Sequence, residues 1–186
     1  MRYSEDTPFH RLLATKYDQE REQEAIAILE EHPELVTLEW PGPDERGQPF
    51  VKGSTVLHYA ANDGKISLVN RLIDRGADVN ASHACWFRSV LSWAPNNARV
   101  ATIRLLLDRG AQVHSLDALH AAAWGGSACG EGKEREYAES LKILIEAGAD
   151  MNDRRHGKDR TPLAVALGSG NQGAIEFLRS VGASEG

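Results

Sequence analysis

An all-α solenoid, in which helix-turn-helix units stack side by side with hairpin or loop fingers between them, is the architecture expected of this chain. Three observations point to it. A short motif recurs as Thr55-Val-Leu-His-Tyr-Ala-Ala61, Ser89-Val-Leu-Ser-Trp-Ala-Pro95, Asp117-Ala-Leu-His-Ala-Ala-Ala123 and Thr161-Pro-Leu-Ala-Val-Ala166. Each copy is followed by an apolar stretch at helical spacing that closes on Gly-Ala, at Gly76, Gly110, Gly148 and Gly182. Leu57 to Leu91 and Gly76 to Gly110 are both 34 residues apart, a period in the range of stacked repeats.

Each unit reads as a helical hairpin. Thr or Ser ahead of the first helix can cap its free N–H groups, and Pro at the first helical position loses no hydrogen bond. Leu57, Ala60 and Ala61 give that helix one bulky core residue and a small-residue face, which lets the next unit approach closely. Leu68, Val69, Leu72 and Ile73 follow helical spacing, so the second helix packs back on the first. The Gly after it enters the left-handed C-terminal cap without strain. One hairpin alone leaves an apolar face wet, so stability requires neighbours. A degenerate first unit opens at Thr7-Pro-Phe-His10 and closes at Ala25-Ile-Ala-Ile-Leu-Glu-Glu-His-Pro33.

The Thr-Pro-Leu-His-x-Ala-Ala and Gly-Ala-Asp-x-Asn signatures resemble ankyrin repeats. Five units are expected in one domain: 7–40 (degenerate), 53–81, 87–114, 117–152 with an insert at 127–137, and 159–186. The resemblance implies a recognition scaffold without a catalytic centre, which binds a partner through a concave face of first helices and projecting fingers. It also implies a structural role for His58 and His120, and for His10 in the first unit, tying adjacent units through the backbone. Ser92 and Ala164 stand in that place elsewhere.

Departures from the period locate the loops. Leu57 to Gly76, Leu91 to Gly110 and Leu163 to Gly182 each span 19 residues, but Leu119 to Gly148 spans 29. Ten extra residues therefore lie around Ser127–Tyr137, lengthening the loop or adding a turn to the second helix. Gly110 to Leu119 is only 9, a clipped finger. Trp40-Pro-Gly-Pro-Asp-Glu-Arg-Gly-Gln-Pro-Phe50 is expected to be a long exposed loop or a two-stranded finger.

Composition and charge narrow the function. The chain is 41% hydrophobic and 26% charged, as folded proteins are, and no apolar run nears the roughly 20 residues of a membrane span. Acids at Met1–His10 stand where a signal peptide is apolar, so a cytoplasmic protein is expected. The net charge is −6; residues 1–50 hold 5 basic and 12 acidic groups, which disfavours nucleic acid as a partner. Cys85 and Cys129 do not make a disulfide framework.

Several motifs invite chemistry. Gly168-Ser-Gly-Asn-Gln-Gly173 matches a dinucleotide fingerprint formally, but the 13 residues after it do not supply the second strand and acid such a site needs. In repeat register it is a turn between helices. His83 and Cys85 lack a second pair of zinc ligands at suitable spacing. No cofactor, metal or catalytic residue is expected.

Aromatic and basic residues are the better lead, because interface hot spots are rich in Trp, Tyr and Arg. Trp93 aligns with Tyr59, at a position expected to be buried. The expected partner-binding set is Trp86, Phe87 and Arg88 in one finger, Trp124 at the end of a first helix, and Asn62, Asp63, Asn96 and Asn97 as adaptable hydrogen-bonding groups. Arg154, Arg155, Lys158 and Arg160 in the last finger would steer an acidic patch. The function expected is non-catalytic recognition of a partner protein by a chain that is monomeric when free. The alternatives are a dedicated inhibitor of one enzyme and, further off, a small-molecule-binding or enzymatic variant.

Overall fold

The structure is a computed structural model that describes residues 8, 11–12, 22–40, 51–83, 89–113, 117–125, 132–154 and 160–186. Nine α-helices are found among the described residues: α1 (Glu22–Glu31), α2 (Val56–Asp63), α3 (Ile66–Asp74), α4 (Val90–Asn96), α5 (Val100–Asp108), α6 (Ala118–Trp124), α7 (Glu134–Glu146), α8 (Pro162–Ser169) and α9 (Gln172–Ser180). Four hairpins, α2–α3, α4–α5, α6–α7 and α8–α9, stack so that α2, α4, α6 and α8 form one row and α1, α3, α5, α7 and α9 the other. The architecture is thus an all-α repeat solenoid.

The recurring residues build one spine. Leu57, Leu91, Leu119 and Leu163 are buried on the first helices, and Leu72, Leu106, Leu144 and Leu178 are fully enclosed on the second. Burying one such side chain is worth about 1.5–3 kcal/mol, but only where a neighbouring unit covers it. The caps follow the expected chemistry: Ser89 and Thr161 oxygens accept from the N–H groups of Ser92 and Ala164, both at 3.2 Å. Thr55 does so through a capping box in which its own N–H donates to His58 Nδ1 at 3.1 Å. Asp117 makes no side-chain cap on α6. The four closing glycines all hold left-handed φ, between +81° and +101°.

The fingers are loops with isolated bridges, Glu39 to Thr55 and Ser82 to Ser89, and no strand occurs among the described residues. The stalk of the first finger is pinned by Trp40 N–H donating to Ser54 O and Gly53 N–H to Trp40 O, both at 2.7 Å. Its tip, 41–50, lies outside the described residues, as do His10, Cys85 and Cys129. Trp40, expected at the start of an exposed loop, is instead in the core at 1% exposure. It packs in the same cluster as Leu35 and Val36 of the short 3-10 turn Pro33–Val36.

The ten-residue insert divides in two. α7 has 13 residues where α3, α5 and α9 have 9, so four of the ten extend the helix by a turn. Residues 126–131 carry the remainder and lie outside the described set. The added turn rests on α9: a Cβ placed on Gly173 would fall 2.2 Å from the carbonyl oxygen of Glu134. That close approach explains the last glycine of the Gly168–Gly173 string, and Gly170, at φ +75°, explains the middle one as the cap of α8. On the outer row, exposed ion pairs join neighbouring second helices, Glu30 to Arg71, Asp74 to Arg109 and Glu139 to Arg104.

Candidate partner-binding surface

The C-terminal ends of the first helices carry the residues of interest, because each unit places there a carbonyl that a following element must satisfy. Between α2 and α4 the work is done by polar side chains. Asn97 Nδ2 donates to Asn62 Oδ1 at 2.7 Å, Asn62 Nδ2 donates to Asp63 Oδ1 at 3.0 Å, and Arg99 Nε donates to Asn62 O at 3.2 Å. Between α6 and α8 the donors are Asn171 Nδ2 to Ala122 O at 3.1 Å and Ser169 Oγ to Ala123 O at 3.3 Å. Asn62, Asp63, Asn96 and Asn97 are all half-buried. Asn62 and Asn97 are therefore committed to joining units. Asn96 Oδ1 is enclosed without a hydrogen-bond partner among the described residues.

Unit four solves the same problem differently. Tyr137, at 1% exposure, donates from its hydroxyl to Gly125 O at 2.5 Å and reaches Asn96 O at 3.5 Å. Sequence reading grouped Tyr137 with the insert and missed this role. A countable signal existed: eleven residues before each closing glycine stand Lys65, Arg99, Tyr137 and Asn171. With the end of α6 held from below, Trp124 projects at 41% exposure beside the capping Gly125.

A second group lies at the base of the fingers. Tyr59, Trp93, His58 and His83 pack ring against ring, with centroids 5.0 to 5.5 Å apart. Trp93 is half-buried and not enclosed like Tyr59, and its indole donates Nε1–H to His83 Nε2 at 3.1 Å. Tyr59 Oη accepts from Val51 N–H and from Ser54 Oγ, both at 2.9 Å. His120, at the register of His58, donates Nε2–H to Arg160 O at 2.9 Å across the unit boundary.

Of the other expected residues, Arg154 and Arg160 are exposed on either side of 155–159. Trp86, Phe87, Arg88, Arg155 and Lys158 lie outside the described residues. Among the described residues no three His, Cys, Asp or Glu side chains gather as a metal site would require, and no helix is long and apolar enough to cross a membrane.

A family model described as ankyrin repeats, in three copies, matches residues 25–117, half of the chain. The chain belongs to the ankyrin-repeat family. No curated protein matches it in sequence. Ankyrin repeats are generally protein–protein interaction modules, and the family is typically non-catalytic. The His120 bond to Arg160 and the buried Leu register extend the same ankyrin construction beyond residue 117, through the insert-bearing unit to the last hairpin.

Proposed function

We propose that this ankyrin domain is a cytoplasmic, non-catalytic recognition module that grips one partner protein along the row of first-helix ends, with Trp124 as its anchor. The observation that carries the reading is the exposure of a large indole, 41%, on a helix end fixed by the buried Tyr137 hydroxyl. A rigidly presented Trp loses little conformational entropy on docking and supplies a large apolar contact, the usual make-up of a hot spot. Arg154 and Arg160 add exposed positive charge at the last finger, suited to steering an acidic patch on the partner. The finger residues Trp86, Phe87 and Arg88, with Arg155 and Lys158, complete the proposed contact set.

Affinity purification from the native cell, followed by measurement of Kd for the recovered partner, tests this. Trp124→Ala is expected to weaken binding by about 2 kcal/mol or more, roughly thirty-fold in Kd. Full affinity in that variant, with its fold intact by circular dichroism, would remove Trp124 from the interface. One dominant, tightly held protein would favour a dedicated inhibitor; several would favour a scaffold.

A further inference from the structure

We propose that His83 is the pin of a pH-sensitive clasp at the base of two neighbouring fingers, closed when its imidazole is neutral and opened by protonation. The assignment rests on donor and acceptor roles. An indole N–H can only donate, so the 3.1 Å bond from Trp93 Nε1 requires a lone pair on His83 Nε2. A backbone N–H can only donate, so the 3.1 Å bond from Thr55 requires a lone pair on His58 Nδ1. Two imidazoles with ring centroids 5.1 Å apart each have an acceptor nitrogen committed. Neither can become imidazolium without giving up its bond, and two imidazolium rings at that separation would repel.

The clasp joins both fingers. His83 belongs to the finger ahead of α4, and a Cβ at Gly53 would stand 3.2 Å from His83 Cβ, so the stalk of the preceding finger lies directly against it. Trp93 meets Tyr59 edge to face at 5.0 Å, and Tyr59 Oη holds Val51 and Ser54 of that stalk. Among the described residues, the groups packed against His83 include the His58 imidazole from α2, the uncharged indole of Trp93 from α4 with the Tyr59 phenol beyond it, and the Gly53 backbone from the stalk. His83 is 7% exposed and His58 fully enclosed, so His83 is the ring a proton reaches first. An unperturbed imidazole titrates near about 6.5, inside the range cells use for signalling. The sign is fixed by the acceptor role: the clasp holds at neutral pH and is lost as the pH falls.

The test uses the full chain labelled with 15N and 13C. The indole N–H of Trp93, assigned by its loss in Trp93→Phe, and the His83 ring carbons are followed from pH 8 to pH 5. The Trp93 indole signal is expected to shift with the midpoint of His83, while the indole of Trp40, buried elsewhere in the core, stays in place. In His83→Gln, which keeps an acceptor oxygen but does not titrate, the Trp93 signal is expected not to move. The proposal is overturned if His83 titrates without moving Trp93, or if His83 stays neutral through pH 5. An equal shift in the glutamine variant, or loss of the Trp40 signal at the same midpoint, which marks global unfolding, also overturns it. Should His83→Gln not fold, the paired midpoints in the unmodified chain decide alone.

Discussion

Replacing Gly173 by Ala should destabilise the protein, although an Ala inside a helix is ordinarily favourable. The new Cβ would stand 2.2 Å from Glu134 O and 2.6 Å from Glu134 Cα, where real Cβ contacts essentially never fall below 3.0 Å. The first turn of α7 must therefore lift from α9 by about 0.8 Å, and since the obstruction is backbone, no rotamer change relieves it. Overpacking of this kind costs about 1–3 kcal/mol. The intrinsic gain from Gly to Ala in a helix returns roughly 0.5–1 kcal/mol. A net loss of about 1–2 kcal/mol follows, or roughly 2–8 °C in Tm for a chain of this size. Two glycines of the same string serve as controls. Gly168, inside α8 with no atom within 4 Å, should gain roughly 0.5–1 kcal/mol as Ala. Gly170, equally uncrowded but at φ +75°, should lose about 1 kcal/mol from conformation alone. Urea midpoints of the three variants check the series. If Gly173→Ala matched Gly168→Ala in sign, the close packing of α7 on α9 could not be the reason for that glycine.

Three further outcomes follow from the same geometry. Tyr137→Phe keeps the ring but strips the donor from Gly125 O, so urea denaturation should show a loss of about 1–2 kcal/mol, the cost of leaving a buried carbonyl unsatisfied. His120→Ala removes the bond to Arg160 O, and hydrogen exchange should show protection in α8 and α9 falling before that of α2 to α5. Ala98 holds φ +55° at the position where Gly64 and Gly170 cap their helices. Ala98→Gly should stabilise the protein by about 0.5–1 kcal/mol, read as a higher urea midpoint, because relief of the left-handed strain exceeds the added unfolded-chain entropy.

What could be read from the residues depended on how many units repeat the same demand. The Leu57 and Leu72 registers recur in every hairpin, so the stack, the row of first helices and the capping glycines were legible by counting. Trp40 was misplaced because the degenerate first unit offers no second copy against which to register it. Its neighbours Pro41, Gly42 and Pro43 speak for a loop, while the fold places it in the core cluster that also holds Leu35 and Val36. The ring cluster was invisible for another reason. His83 sits on a finger, and only the folded chain brings it to Trp93, ten residues away.

Tyr137 shows how an insertion can be accommodated without loss of register, and why an anchor can arise beside it. Five and six residues beyond the core Leu stand Asn62 and Asp63 at the end of α2, and Asn96 and Asn97 at the end of α4; Asn62 and Asn97 are spent on bonding one unit to the next. An apolar side chain there would forfeit that tie. In unit four the added helical turn keeps Tyr137 at the residue where Arg99 and Asn171 stand, and its hydroxyl satisfies the carbonyl at the end of α6 from beneath. Position 124 shares the register of Asn62, and with Tyr137 holding the end of α6 a Trp there leaves that carbonyl satisfied. The insert thus moves the satisfaction of a helix-end carbonyl from the surface row to the interior, and the exposed indole stands at the register where α2 carries the bonding Asn62 and α8 carries Gly168.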